Sequence, residues 1–410
     1  MTIHPWIEGY IITALSINRL FTEADPPQMP FVDYYYGPPH LKDSANTEAV
    51  QHPDTLRGAV DDLRDTLPMQ DFAAQRSVFL HKHLCAMESV CRMMSGQRWV
   101  LMDEIETCLD IQPVFIPDSE FEQHLRLLDN ALPGSGDLRS RYQQVHELAI
   151  LSADQVEAVV RRILNEVRFR TSQHWTLPDS ETLDLHLLHE MQSGAANWYL
   201  GNFRSRLELN VHGPVNLFNL IYQMCHEAYP GHHTEFVMKE QHLYYGQGCA
   251  EQSIFILGPQ LVIAEGIASE AVQMIFTPEA LAAWIQADIL PDHLPALNAT
   301  LTDMDLTAFV QFSMTGLLDD IGGNLLLMSE AGESEARLIE YAMAYTPFSV
   351  QRIRNFMGSI ASPLQRIYAF SYPSGKRLVK AAVQRAETPI SGFQRLLTEQ
   401  IYPSALAAGE

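Results

Sequence analysis

His226 and Glu227 stand at the end of an apolar run, residues 217–224. Such a run is typical of a buried helix, where an unpaired charge is costly, so the pair is expected to have a partner. Many zinc hydrolases carry a His-Glu-x-x-His helix, which places two imidazoles one turn apart beside a general base. The residue types therefore predict metal-assisted hydrolysis, with His226 as a metal ligand and Glu227 as the base.

The position of the second ligand follows less directly, because Pro230 occupies the fourth position after His226. Four residues advance a helix by about 400° and return to the same face, whereas six advance it by about 600°. A two-residue bulge at Pro230-Gly231 would bring His232 to the ligand face, since proline disrupts a helix and glycine tolerates unusual backbone angles. We predict His232 as the second ligand, with His233 as the runner-up or as a substrate contact.

A third ligand is expected from a second apolar helix that begins near Pro259. Glu265 lies there among apolar and small residues, 33 positions after His232, and Gly266 would let another helix approach closely. Its carboxylate would complete a His-His-Glu set that leaves one position open for water. Glu270 is the second choice for this ligand. Zinc is the predicted metal, and another divalent cation is the alternative, because such sites bind several.

Three further positions are candidates for contacts with a substrate. Tyr372 precedes a Pro-x-Gly turn at the start of a basic helix, where a phenol can stabilise a developing oxyanion. Arg377, or Lys376 beside it, is expected to hold a substrate carboxylate. Asn210 is expected to orient the substrate backbone. It belongs to an alternating segment, residues 206–211, that predicts a half-exposed strand, either an edge strand that binds an extended peptide or a plain hairpin strand.

The composition is that of a globular, mainly helical protein. Of 410 residues, 47% are hydrophobic, and apolar residues recur at helical spacing through residues 55–167 and 277–410. The net charge of −23, from 27 basic and 50 acidic residues, argues against nucleic acid and anionic membranes as partners. The cysteines are scattered and form no C-x-x-C pair, which argues against a disulfide framework and a thiolate zinc site.

The expected organisation is an N-terminal helical region, residues 1–193, followed by a metal-binding catalytic region, residues 194–410, within one continuous structural unit. The beginning of the sequence lacks a basic segment followed by an apolar one, so no signal peptide is predicted. A cytoplasmic location is therefore expected. The sequence leaves the oligomeric state open.

The motif resembles that of the bacterial family catalogued as domain of unknown function 885. The family's His-Glu-x-x-Pro-Gly-His-His pattern is matched at every defining position from His226 to His233. The resemblance covers residues 195–406. Its later agreements are Glu265, Gly266, Ala268, Tyr372 and Gly375, whereas Ile267, Ser269, Glu270 and Val272 depart from the family's pattern.

The family is similar to glutamate-zincin peptidases, so the resemblance implies a mainly α, zincin-like metallohydrolase with a small β element before the metal-binding helix. It also implies zinc as the cofactor and hydrolysis of peptide bonds, with short peptides as the expected substrates. The alternatives are a metal-dependent amidase or other small-molecule hydrolase or lyase, and a catalytically inactive metal-binding homologue. The departures after Glu265 bear on substrate preference.

Overall fold

The structure, a computed structural model, is mainly α-helical. It places 66% of the residues in helices and 8% in strands, which confirms the predicted mainly α fold class. The division of the chain after residue 193 stays a prediction, and the outer limits of the two regions, residues 1 and 410, lie outside the described residues. The structure describes residues 2–47, 49–97, 99–191, 193–359 and 363–409.

Helices follow one another along most of the chain, and many begin at a proline, which suits the first turn because the N–H that proline lacks would have no partner there. In chain order, the α-helices are α1 (Pro5–Thr22), α2 (Pro39–Thr47), α3 (Pro53–Thr66), α4 (Ala74–Met94), α5 (Leu101–Leu109), α6 (Asp118–Ala131), α7 (Leu138–Leu148), α8 (Ala153–Ser172), α9 (Leu217–Glu227), α10 (His232–Lys239), α11 (Pro259–Ile275), α12 (Pro278–Asp288), α13 (Leu290–His293), α14 (Pro295–Thr300), α15 (Leu306–Ser313), α16 (Leu317–Glu330), α17 (Glu335–Tyr345), α18 (Val350–Ser359), α19 (Pro363–Tyr368), α20 (Ser371–Arg385), α21 (Pro389–Thr398) and α22 (Pro403–Ala408). A π-helix at Glu240–Tyr245 continues α10, and short 3-10 helices lie at Leu67–Met69 and Ala250–Ser253.

The strands are short and form three small sheets among the described residues. They are β1 (Val32–Tyr35), β2 (Ile150–Leu151), β3 (Thr182–Leu188), β4 (Ala195–Gly201), β5 (Arg204–Asn210), β6 (Val215–Asn216) and β7 (Ile254–Ile256). β1 pairs with β7 and β2 with β6, both antiparallel, while β3, β5 and β4 lie side by side in that order. β5 runs parallel to β3 and antiparallel to β4.

The strand predicted over residues 206–211 is confirmed as β5. Of the two alternatives, the structure shows the hairpin strand and not the edge strand, because β5 follows β4 directly and pairs with it antiparallel. Both sides of β5 are already paired, because β3 and β4 flank it. A strand with neighbours on both sides has no free backbone groups with which to bind an extended peptide. β3 and β4 are the edge strands of this sheet.

α9 starts where Asn216 caps it. The side-chain oxygen of Asn216 accepts hydrogen bonds from the backbone N–H groups of Phe218 and Asn219, at 3.0 and 3.4 Å. The apolar face of the helix packs into the core, where Met224 is fully buried. Because the helix is anchored in this way, His226 in its last turn is carried into the interior.

α11 and α20 cross in backbone-to-backbone contact. A Cβ atom on Gly266 of α11 would overlap the carbonyl of Gly375 in α20, and one on Gly375 would overlap the carbonyl oxygen of Val262. The close approach expected at Gly266 is therefore present. This crossing places the start of α20, with Tyr372, against the part of α11 that carries Glu265.

The buried apolar side chains form two clusters that meet at α11, which contributes Ile263 to one and Val262 to the other. All five cysteines are free thiols. Within the described ranges, no individual helix combines the length and apolar character needed to cross a membrane. α11 and α12 pass that test only when taken as a pair, and the chain bends by 71° between them.

Candidate functional site

The motif residues lie at a break between two helices. α9 ends at Glu227 and α10 begins at His232. The predicted bulge within one helix is therefore wrong, because a turn separates two helices. The N–H of Gly231 donates to the carbonyl of Cys225 at 3.0 Å, and a Cβ on Gly231 would overlap the carbonyl oxygen of His226. Only glycine fits this tight turn. The turn brings the rings of His226 and His232 to a centroid distance of 4.8 Å, almost perpendicular to each other.

The three predicted ligands converge on one point. Nε2 of His226 lies 3.3 Å from Oε2 of Glu265, and Nε2 of His232 lies 3.7 Å from the same oxygen. Zinc binds nitrogen and oxygen at about 2.0–2.2 Å in a tetrahedral arrangement, which sets the ligand atoms about 3.3–3.5 Å apart. Among the described residues, this is the group of His, Cys, Asp and Glu side chains that could hold a metal.

The chemistry of the donor set also fits a cation. Oε2 of Glu265 is buried and accepts no hydrogen bond from a described residue, and the Nδ1 atoms of His226 and His232 are likewise buried and unpartnered. A buried polar atom without a partner is costly. A cation shared by the three side chains would satisfy the carboxylate oxygen.

The electrostatics of the group keep the carboxylate ionised. Burial acts to raise the pKa of Glu265, but the imidazoles of His226 and His232 outweigh it and hold the pKa well below its usual value. Burial acts to lower the pKa of His232, but the carboxylates of Glu235 and Glu265 raise it well above its usual value. Oε2 of Glu235 lies 3.9 Å from Nδ1 of His232, on the side of the ring away from Glu265. Glu235 was not selected from the sequence.

Two tyrosines line the same group. The hydroxyl of Tyr368 donates to Oε1 of Glu265 at 2.6 Å and lies 2.9 Å from the hydroxyl of Tyr372. The ring of Tyr372 stacks on His226 with a centroid distance of 6.2 Å. Tyr372 therefore lies where the sequence predicted it, whereas Tyr368 was missed. The available signal was the four-residue spacing of the two tyrosines, which would place them on one helix face.

Glu227 lies beside the group and is half-buried. Burial is the main reason that the pKa of Tyr372 is raised well above its usual value, and the charge of Glu227 adds to that rise. The backbone carbonyl of Glu227 accepts a hydrogen bond of 2.8 Å from the side-chain amide of Asn197 in β4. The strand next to the candidate site is therefore the edge strand β4, and not β5.

His233 does not contribute to the group, although the sequence left it as an alternative ligand or substrate contact. It is completely buried, with Nε2 2.7 Å from Oε1 of Glu181 and Nδ1 2.7 Å from Oγ of Ser205. Both ring nitrogens are occupied by these side chains. Of the two neighbouring histidines, His232 is therefore the candidate for the second metal ligand.

The side chain of Asn210 is also bonded to protein groups. Its side-chain amide donates to the backbone carbonyls of Met191 and Ser193, at 3.0 and 3.3 Å, and its oxygen accepts from the N–H of His212. These bonds hold the connection between β3 and β4. The expectation that Asn210 orients a substrate backbone is corrected accordingly.

Arg377 and Lys376 are bonded to protein groups outside the ligand group. Five residues along a helix from Tyr372 correspond to about 500°, so Arg377 points to another side of α20, where it donates to Glu120 at 2.8 Å. Lys376 donates to the backbone carbonyl of Thr315, in the connection between α15 and α16, and pairs with Asp320 at 3.3 Å. Glu270, the second choice as a ligand, is buried elsewhere, and burial raises its pKa to about 7.

Two acidic residues that sequence reasoning did not select, Asp33 and Asp319, lie in the electrostatic range of the group. Burial raises the pKa of each to about 6, and the charges of the candidate ligands act on both carboxyl groups. Asp33 belongs to β1 and Asp319 to α16, and neither stands in a recognisable motif. Packing alone brings them near the site, so no sequence signal was available.

A cleft of about 260 Å³ runs along α9 beside the group. Asn219 and Tyr222 of α9 and Asp319 of α16 form part of its wall. The ring of Tyr222 lies 5.8 Å from the ring of His226, centroid to centroid. One end of the cleft therefore adjoins His226.

The chain was compared with known proteins and with solved structures. No family model and no curated protein matches the chain. A crystal structure from Colwellia psychrerythraea is similar to it with a TM-score of 0.51 and 12% identity, over 86% of this chain and 65% of that one. A structure from Shewanella oneidensis gives a TM-score of 0.46 and 12% identity, over 88% and 76% of the two chains. Both are described as a "putative lipoprotein".

The likeness to the Colwellia psychrerythraea protein shows the fold alone, since so few residues are identical. This chain spans 65% of the length of that protein.

Proposed function

We propose that this protein is a zinc-dependent hydrolase of peptide bonds in short peptides, with a zincin-like arrangement as in the family that its motif resembles. The observation that carries the proposal is the convergence of His226, His232 and Glu265, from three helices, on one point next to an unpartnered carboxylate oxygen. A zinc ion would supply the partner that this buried oxygen lacks.

Zinc held by His226, His232 and Glu265 would act as a Lewis acid, lowering the pKa of a water molecule and polarising the substrate carbonyl. Glu227 then accepts the proton of the attacking water and delivers it to the leaving amine nitrogen. Tyr372 donates a hydrogen bond to the oxyanion that forms from the carbonyl oxygen.

Tyr368 has a positioning role in this scheme. Its hydrogen bond to Oε1 of Glu265 turns the other carboxylate oxygen towards the two histidines. Hydrogen bonds of this kind to ligand side chains orient them and tune the site.

The position of β4 supports a peptide substrate over a small amide. β4 is an edge strand, and Asn197 connects it to the end of α9 beside Glu227. An extended peptide can pair with the free side of an edge strand through its backbone. The carbonyl to be attacked would then lie alongside the general base.

The Glu227→Gln variant gives the sharpest test. Zinc content is measured by mass spectrometry of the purified protein, and turnover is measured on a panel of fluorogenic peptides. We expect about one zinc per chain in both proteins, because Glu227 is not a ligand. Turnover should fall about 10²–10⁴-fold in the variant, which is the usual contribution of a general base.

The exposed His212, whose ring belongs to no described hydrogen bond, provides the matched control. His212→Ala should keep both zinc and turnover. Peptide hydrolysis by Glu227→Gln at the parent rate would contradict the assigned base. A wild-type protein that takes up no divalent metal would contradict the proposed function as a whole.

A further inference from the structure

The cleft beside the candidate ligands carries a guanidinium at its far end. Arg352 of α18 lines the cleft, and no carboxylate among the described residues lies within ion-pair distance of it. A guanidinium matches a carboxylate in shape and charge, because its N–H groups can bind both oxygens.

Arg352 is held in place by its own neighbours. Its guanidinium lies over the ring of Phe348, 4.2 Å from the centroid, and its backbone N–H donates to Oγ of Ser349 at 3.2 Å. Burial and the charge of Arg352 lower the pKa of His146, which leaves that imidazole neutral at pH 7. Arg352 is therefore the positive charge at this end of the cleft.

The rest of the cleft suits a peptide with apolar side chains. Its walls include the aromatic rings of Phe218, Tyr222 and Phe309. Asn219 and Gln223, on the same helix as Tyr222, add side-chain amides that can donate to or accept from a peptide backbone. Apolar walls with a few polar groups are typical of sites that bind and orient a ligand.

The length of the cleft can be read along α9. His146 lines the cleft together with Arg352, and its carbonyl accepts a hydrogen bond of 2.9 Å from the side chain of Asn216 at the start of the helix. His226 lies ten residues further along, about 15 Å at 1.5 Å per residue. An extended chain covers about 3.3 Å per residue, so four or five residues span this distance.

We propose that the cleft binds the C-terminal part of a peptide substrate, with its terminal carboxylate on Arg352 and its scissile bond at the His226–His232–Glu265 group. This assignment rests on the proposed peptidase function and narrows the substrate class. The substrates are peptides with a free C-terminus that extend four or five residues beyond the bond that is cleaved, and their side chains in this part are apolar or aromatic.

The test compares paired peptides of five to ten residues, rich in Phe and Leu, each made as the free acid and as the C-terminal carboxamide. With the zinc-loaded wild type, we expect kcat/KM to be at least about tenfold higher for the acids, the size expected for a charge-assisted hydrogen bond. Mass spectrometry of the products should show C-terminal fragments of four or five residues.

The variants separate charge recognition from a general effect on folding. Arg352→Gln should lose the preference for acids while the rate on carboxamides stays the same, and Arg352→Lys should keep part of the preference. Arg354 on the same helix, which pairs with Glu335 at 3.5 Å on the surface, provides the control. Arg354→Gln should behave as the wild type. Equal rates on acids and carboxamides by the wild type would overturn the assignment, even if both are cleaved.

A binding measurement keeps this proposal separate from the peptidase proposal. The same peptides, labelled with fluorescein at the N-terminus, are titrated with the Glu227→Gln protein and followed by fluorescence anisotropy. Tighter binding of acids that depends on Arg352 supports the cleft assignment, even where the wild type cleaves no peptide and the peptidase proposal fails. Equal binding of acids and carboxamides overturns it.

Discussion

His232 and His233 are neighbours in the sequence and serve two different regions of the molecule. His232 faces Glu265 and leaves Nδ1 without a hydrogen bond, whereas both nitrogens of His233 are bonded to Glu181 and Ser205. Consecutive residues of a helix point about 100° apart, so one turn of α10 faces two surroundings. Two adjacent residues of the same type therefore differ in whether protein groups already occupy their ring nitrogens.

The region around His233 is a closed hydrogen-bond network. Glu181 accepts from His233 at 2.7 Å, from the hydroxyl of Tyr229 and from the guanidinium of Arg168 at 2.8 Å. Burial acts to raise the pKa of Glu181, but these hydrogen bonds outweigh it and hold the pKa at about 2. Tyr229 belongs to the turn between α9 and α10, so the network stabilises the turn that presents His232.

The largest expected contrast between the two regions is in metal content. His232→Ala removes one of three ligands and should reduce bound zinc from about one per chain to near zero, with loss of peptide hydrolysis. His233→Ala should retain zinc, because its ring nitrogens bind protein groups. Both contents are measured by mass spectrometry after dialysis against buffer free of metal.

The opposite pattern, with zinc lost from His233→Ala and kept by His232→Ala, would reverse the assignment of the two histidines. Circular dichroism of each variant shows whether the fold is retained, so that loss of metal is not confused with unfolding.

A smaller effect is expected from the tyrosine that holds the third ligand. Tyr368→Phe removes the hydrogen bond to Oε1 of Glu265 and should weaken zinc affinity about 10–100-fold, the usual range for such supporting bonds. The affinity is measured by competition with a chelator. Tyr345→Phe, which removes a hydrogen bond of 2.8 Å to Asp118, is the matched control and should leave the affinity unchanged. Equal affinities in the two variants would contradict the role of Tyr368.

His233→Ala should reduce the free energy of unfolding by roughly 2–3 kcal/mol, since it leaves buried polar groups of Glu181 and Ser205 without a partner. Urea titration of the metal-free protein measures this directly. We expect His232→Ala to change the metal-free stability less than His233→Ala does. A larger loss of metal-free stability in His232→Ala would show that the two regions had been assigned the wrong way round.

The smallest expected effect is the pH dependence of the closed network. The folded pKa of Glu181, about 2, lies below its ordinary value of 4.5, so the folded state binds this proton less readily than the unfolded state. Its contribution to stability is therefore present above pH 4.5 and is lost as the pH falls towards 2. The difference in unfolding free energy between wild type and Glu181→Gln should shrink over that range. A difference that grows as the pH falls would contradict the lowered pKa.

Part of this organisation could be predicted from local pattern. Helical spacing of apolar residues predicted the mainly α fold class, and alternation predicted the strand that became β5. The pairing of His226 with Glu227 inside an apolar run marked the position of the candidate site. Gly266 indicated a close helix approach, which the structure places against Gly375.

Other features depended on contacts between distant segments. Arg377 and Asn210 have residue types suited to substrate binding, but Glu120 and the β3–β4 connection occupy their side chains. Asp319 stands in no motif and reaches the candidate site only because its helix packs there. β5 is the central strand because β3 and β4 pair with its two sides. The alternation of residues within β5 does not show which strands lie beside it.

The sequence by itself determined the class of fold, the pair His226 and Glu227, and the glycines that allow tight turns and close helix contacts, because these depend on residue type and on spacing within one segment. Only the tertiary structure decided that His232 rather than His233 faces Glu265, and which polar side chains were already bonded elsewhere. The physical reason is that the direction of a side chain follows from how its helix is packed, and that packing is set by residues far away in the chain.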